Sequence, residues 1–226
     1  MQFRLHEGTG SRTIDIDIRE VIIAGMTGRD AAAVKAHVDE LAALGIAPPS
    51  AIPIYYRVSA SLLTTAGAIQ VIGADSSGEV EAVLIGTAAG MLVGVGSDHT
   101  DRRVEAYGIA VSKQMCAKPI SPDLWRYADV AAAWDALELA SDRVVGGQRT
   151  PYQRGTLATV RRPEDLIAGF FDGATELPPG FAMFTGTFAT LGEITGADRF
   201  EISLTDPGSG RTLRHGYDVT NLPVVA

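Results

Sequence analysis

Residues 78–103 read GEVEAVLIGTAAGMLVGVGSDHTDRR, and the way this stretch pairs with itself decides the fold. Two apolar runs, EVEAVLI from Glu79 and GMLVGVG from Gly90, are separated by a short Gly/Ala/Thr segment. Runs of this length bounded by glycine suit strands. On a strand, Glu79 and Glu81 stand at i and i+2 and leave the same face, where two like charges repel. A water-exposed polar face tolerates that; a bound cation is the other reading. Asp98 ends the second run, so a hairpin would bring three carboxylates together. Such a set of hard oxygens, with no second cysteine and no paired histidines, selects Mg²⁺, Mn²⁺ or Ca²⁺ over structural zinc. Five of the six residues 98–103 are ionisable, namely Asp98, His99, Asp101, Arg102 and Arg103.

Outward from this stretch, further strand patterns occur at TIDIDI, REVIIAG, AIQVI, FAMFTGTF and FEISLT. Helical periodicity is clearest in DAAAVKAHVDELAALG, with Asp30 as cap and Gly45 as stop. Helices are also expected at YADVAAAWDALEL and at RPEDLIAGFFDG, the latter with Pro163 in its first turn. No segment has the length or low complexity of an interdomain linker. The expectation is a single α+β domain over residues 1–226, a mixed β-sheet roll or sandwich with a few flanking helices, in which residues 1–50 supply N-terminal strands and a lid helix. With 19 basic against 27 acidic residues and a formal charge of −8, no basic stripe is available for a phosphate backbone, which argues against nucleic acid. The longest apolar run, Ala82 to Gly96, is shorter than the ~20 residues of a membrane-spanning helix. One cysteine, Cys116, and a charged N-terminus without an apolar core lead to the expectation of a cytoplasmic protein.

The order GEVEAVLI, SDHTDR, SKQMCAKPISPDLW, LPPGFAMFTGTF and GADRFEISLTDPGSGRTLRHGYDV resembles the C-terminal domain of the fumarylacetoacetate hydrolase superfamily. The resemblance runs from about Val21 to Val219, and the joint pattern AGMTGRD, SGEVE, GSDHTDR and SKQMCAKP is similar to a divergent branch known only as a domain of unknown function. It implies that Glu79, Glu81 and Asp98 hold a metal, that Lys113 is a catalytic lysine, and that Arg57, Arg102, Thr185, Gly186 and Thr187 meet a small carboxylate substrate. It also implies that His37 and Glu40, an H-x-x-E pair that alone reads as a helix surface, activate water, a task suited to a histidine titrating near neutrality. The implied function is a hydrolase or lyase that breaks a C–C bond of a small 2-oxo or β-dicarbonyl acid through an enolate stabilised by Mg²⁺ or Mn²⁺, or by Ca²⁺. A hydratase, decarboxylase or isomerase, or a non-catalytic acid-binding protein, is the alternative. A homodimer is also implied.

The chain departs from the family pattern in three places. The gap from Glu81 to Asp98 is short, the G-x-N-Y asparagine and tyrosine before His37 are missing, and Phe188 stands where a proline should follow T-G-T. His99 and Asp101 alternate with Asp98 and so are expected to point away from it, with an ion pair to Arg103 for one of them. Cys116 has no base nearby in sequence, and Trp125 and Trp134 read as core.

Overall fold

The computed structural model describes residues 1–43 and 48–225. The chain opens with the hairpin β1 (Gln2–Glu7) and β2 (Gly10–Asp15), then β3 (Glu20–Gly25), α1 (Ala31–Ala43) and β4 (Ile54–Val58). Asp30 caps α1, its carboxylate accepting from the N–H groups of Ala32 and Ala33. Short strands β5 (Leu63–Thr64), β6 (Ala68–Ile72) and β7 (Ser76–Ser77) lead into β8 (Val80–Thr87) and β9 (Gly90–Ser97), which are the two apolar runs of the opening stretch. Then come β10 (Thr100–Asp101), α2 (Arg102–Glu105), α3 (Ile109–Gln114), β11 (Lys118–Pro119) and β12 (Asp123–Arg126). The remainder is β13 (Glu138–Val145), β14 (Gln148–Thr156), α4 (Pro163–Phe170), β15 (Phe181–Phe184), β16 (Arg199–Asp206) and β17 (Arg211–Leu222).

Two mixed sheets carry the architecture. The larger runs β2-β1-β12-β9-β8-β15-β3-β4 and the smaller β14-β13-β16-β17-β6. Alternation along β8 serves both faces of the larger sheet. Val80, Ala82 and Leu84 join Leu139, Ile202, Leu204 and Leu213 of the smaller sheet in the core between the two. Val83 and Ile85 face the other way, into a second cluster with Phe3, Leu5, Ile23, Leu124 and Phe184. A strand buried on both faces reads as a continuous apolar run, which is why EVEAVLI shows its alternation only at the two glutamates.

One expected helix is absent. Residues 127–139 form 3₁₀ turns over Tyr127–Asp129 and Ala131–Ala136 and then enter β13. Val130, Trp134 and Leu137 are anchored in the core between the sheets, and Leu139 pairs with Leu204. Tertiary pairing overrides helix propensity here.

Candidate metal centre

The β8–β9 hairpin builds the cluster. Its ladder runs from Thr87 opposite Gly90 to Val80 opposite Ser97, with Glu81 opposite Gly96, and Asp98 N–H donates to Glu79 C=O at 2.9 Å. The short Glu81 to Asp98 spacing is thus closed by a tight turn at Ala88–Ala89, with no helix required. Gly96 is needed opposite Glu81, because a Cβ there would lie 2.7 Å from Val83 and 2.9 Å from Phe184. Oxygens of Glu79, Glu81 and Asp98 come within 4.8 Å of one another. Glu81 is 2% exposed and Asp98 fully buried.

Cations distribute unevenly over the three. Lys113 Nζ on α3 donates to Asp98 Oδ2 and lies 3.8 Å from Glu79. Lys118 Nζ is 3.0 Å from Asp98 Oδ1. Burial opposes the charge of Asp98, but the two ammonium groups outweigh it and hold the carboxyl down to about 2. Burial likewise opposes the charge on Lys113, which Asp98 and Glu79 overcome, so its pKa is raised. Arg102 spends its guanidinium inward: Nη2 is 3.1 Å from Glu79, Nη1 donates to Glu105 at 3.0 Å and Nε to Ser77 Oγ at 2.7 Å. Glu81 has no ion-pair partner among the described residues; it accepts the Gly186 N–H at 2.6 Å. Burial, with Asp98 and Glu79 nearby, pushes its pKa well up. An incompletely compensated buried carboxylate beside two others is the donor set of a hard divalent ion, and the residues present fit one.

The segment 185–187 is tied to β8. Thr185 Oγ1 donates to Ala82 C=O at 3.0 Å, and Thr187 Oγ1 donates to Val80 C=O at 2.8 Å while accepting from Gln153 Nε2 at 2.8 Å. These hydroxyls, expected to meet substrate, hold the strand that carries Glu81. Gly186 has φ +96°, and a Cβ there would fall 1.9 Å from Thr27 Oγ1, so the loop after β3 packs directly on it. Gln153, 1% exposed on β14, also accepts from Val80 N–H at 2.9 Å and thereby ties the smaller sheet to the site. Tyr56 places its ring 5.8 Å from Lys113 Nζ. Gln153 and Tyr56 fall outside the quoted motifs, and Lys118, though it lies within SKQMCAKP, is not the lysine the resemblance singles out; only alternation along β4 separates Tyr56 from its neighbour.

That neighbour, Arg57, is a correction. It alternates with Tyr56 and so leaves the other face of β4, where it is half-exposed and ion-paired to Glu20; it does not join the cluster. His37 and Glu40 belong to α1, but their side chains lie outside the described residues. His99 turns away from Asp98 as alternation requires, but not to Arg103, whose partner is Asp75. It sits between Tyr217 OH at 3.1 Å and Ser76 Oγ at 2.9 Å. Asp101 caps α2 through Val104 N–H.

No helix among the described residues is long and apolar enough to cross a membrane. A search of curated proteins finds no match to this sequence. Among solved structures, the chain is similar to a protein from Oleispira antarctica provisionally assigned as a fumarylacetoacetate isomerase/hydrolase, at 21% identity and TM-score 0.67, covering 97% of this chain and 100% of that one. A protein of Burkholderia cenocepacia, provisionally assigned as a fumarylpyruvate hydrolase, superposes at 20% identity and TM-score 0.65 over 98% and 95% of the two chains. The apo form of 2-keto-3-deoxy-D-arabinonate dehydratase does so at 16% identity and TM-score 0.65, over 96% and 78%. Likenesses at this identity establish the fold. Residues 24–217 match the family described as "protein of unknown function (DUF2848)", so the chain belongs to that family and is a divergent branch built on the fumarylacetoacetate hydrolase fold.

Proposed function

We propose that this chain is a divalent-metal-dependent enzyme acting on a small 2-oxo or β-dicarbonyl carboxylic acid, as a hydrolase or a lyase. The observation that carries this reading is the cluster of partly exposed Glu79 with buried Glu81 and Asp98, in which Glu81 has no cation of its own among the described residues. An ion bound there, Mg²⁺ or Mn²⁺ or alternatively Ca²⁺, supplies a Lewis acid for the negative charge that develops on the substrate's oxygens. The chain's own residues do the rest. Lys113 brings a second positive charge to the same place, kept protonated by Asp98 and Glu79. Arg102 holds Glu79, and the Gly186 N–H holds Glu81. His37, with Glu40 the H-x-x-E pair of the sequence, is the proposed base for water in a hydrolysis. The structurally similar dehydratase motivates elimination as the competing outcome, since both reactions pass through the same developing charge.

The test is direct. Metal-stripped protein should melt at a higher temperature in millimolar Mg²⁺ or Mn²⁺, by mass action on the native state, and Glu81→Gln or Asp98→Asn should abolish the rise. Titration calorimetry showing no binding at millimolar ion, even with oxalate as substrate mimic, overturns the metal and the mechanism together. Acylpyruvates, oxaloacetate and 2-keto-3-deoxy sugar acids then separate C–C cleavage from loss of water or CO₂.

A further inference from the structure

We infer that Lys118 is a positioning residue, a countercharge built into the fold for Asp98, that weakens the affinity of the carboxylate cluster for a divalent ion. The inference rests on the metal-binding reading above and deepens it. Lysine is almost never fully buried unless paired, yet Lys118 is 0% exposed and among the largest fully buried side chains of the protein. Its backbone is pinned, because β11 pairs parallel with β5 at Lys118 opposite Leu63 and leads into Ile120, which bridges Gly96 beside the cluster. Its Nζ is 3.0 Å from Asp98 Oδ1 and donates to His99 C=O at 2.5 Å. The carboxylate of Asp98 is therefore gripped on both sides, Oδ1 by Lys118 and Oδ2 by Lys113.

Gripping Asp98 orients it, but at an electrostatic cost to any incoming cation. The carboxyl groups of Glu79, Glu81 and Asp98, with Glu105 sharing Arg102, face the cations Lys113, Lys118 and Arg102 in the same pocket. Of the two ammonium groups, Lys113 rides on a short helix beside partly exposed Glu79. Lys118 is enclosed and cannot withdraw to solvent when an ion arrives. A fixed unit charge a few ångströms from a divalent ion opposes its binding strongly in a buried site.

A residue that only filled space would act with the opposite sign or none, since disturbing Asp98 would loosen the ion. The experiment compares wild type with Lys118→Met, which keeps the stem and removes the charge, and with Lys118→Gln, which also retains a donor for His99 C=O. Mn²⁺ affinity is measured by titration calorimetry, and thermal unfolding is followed in EDTA and in Mn²⁺. We expect both variants to bind Mn²⁺ about tenfold or more tightly than wild type, to melt lower than wild type in EDTA, and to recover in Mn²⁺. Asp98→Asn/Lys118→Met, which removes both charges, should regain much of the loss in EDTA. Equal or weaker Mn²⁺ binding by the variants, with wild type binding normally, overturns the inference and leaves the metal reading intact. Binding by the variants but not by wild type supports the inference and overturns the metal reading for the native chain. Binding by none overturns both. If neither single variant folds, the double variant decides: a folded double supports the pairing, and an unfolded one overturns it.

Discussion

His99 stands next to Asp98 in the chain and faces the opposite way, into a buried group with Tyr217, Ser76 and Phe200. Burial first, then the charges of Lys118 and Arg102, lower its pKa to about 3. A histidine kept neutral in the fold but free to protonate when unfolded costs stability as pH falls: the contribution is complete above the unfolded value near 6.5 and is lost progressively toward the folded value near 3. In EDTA, wild type should lose up to about 1.4 kcal/mol per pH unit through this group across that window. His99→Gln should flatten that part of the slope, measured as the difference between denaturant titrations of the two proteins at pH 7, 6 and 5. An identical slope for both removes His99 as the source. At the same scale, Cys116 is pushed up to about 11 by burial, which leaves it an inert member of a small apolar cluster with Ile69, Val71, Tyr152, Phe200 and Tyr217.

At the scale of elements, the site depends on β8 being held from both sides, by β9 through the ladder and by the segment after β15 through its hydroxyls and one amide. Gly186 is the tightest point, because it combines φ +96° with a contact on Thr27 that leaves no room for a Cβ. Gly186→Ala is expected to cost about 2–3 kcal/mol and to lower Mn²⁺ affinity, since the N–H that orients Glu81 shifts with the loop. Denaturant unfolding and calorimetry measure the two effects; a stable variant that keeps wild-type affinity would show that the loop after β3 yields freely. Gln153 acts from the other sheet. Gln153→Leu would leave Val80 N–H and the Phe188 carbonyl without their partner and should destabilise by about 1–3 kcal/mol for each group left unpaired. A change under half a kcal/mol would mean that water replaces it.

For the whole molecule, we propose a homodimer. The apolar stretch IYYRV of β4 lies at the edge of the larger sheet, where Ile54, Tyr55 and Tyr56 are already half-buried. A different surface offers itself. Tyr107, in the turn before α3, and Val111 and Met115, four residues apart along α3 and its C-cap, are exposed, Tyr107 to 87%, next to the turn that carries Lys113. Light scattering at micromolar concentration should give twice the chain mass of 23.8 kDa, and Tyr107→Glu with Met115→Glu should shift it to monomer. A wild-type monomer sets the proposal aside.

The sequence by itself determined the strands whose apolar pattern is long, the capped helix from Asp30, and the carboxylate set. Those features are local: alternation places Glu79 with Glu81, and a short turn between two apolar runs brings Asp98 back to them. The same rule kept His99 away from Asp98, whereas which face of β4 turns inward, and so that Arg57 points away from the cluster, is settled by the strand's place in the sheet. Residues 127–139 misled because helix periodicity is also local, whereas their buried anchors and the partner strand β16 come from elsewhere in the chain. Which cations answer the carboxylates was decided only by the tertiary structure. Lys118 and Gln153 arrive from strands distant from β8, and the 185–187 hydroxyls are spent on its backbone. Charge compensation and hydrogen-bond satisfaction in a buried site are settled between segments that have no fixed spacing along the chain.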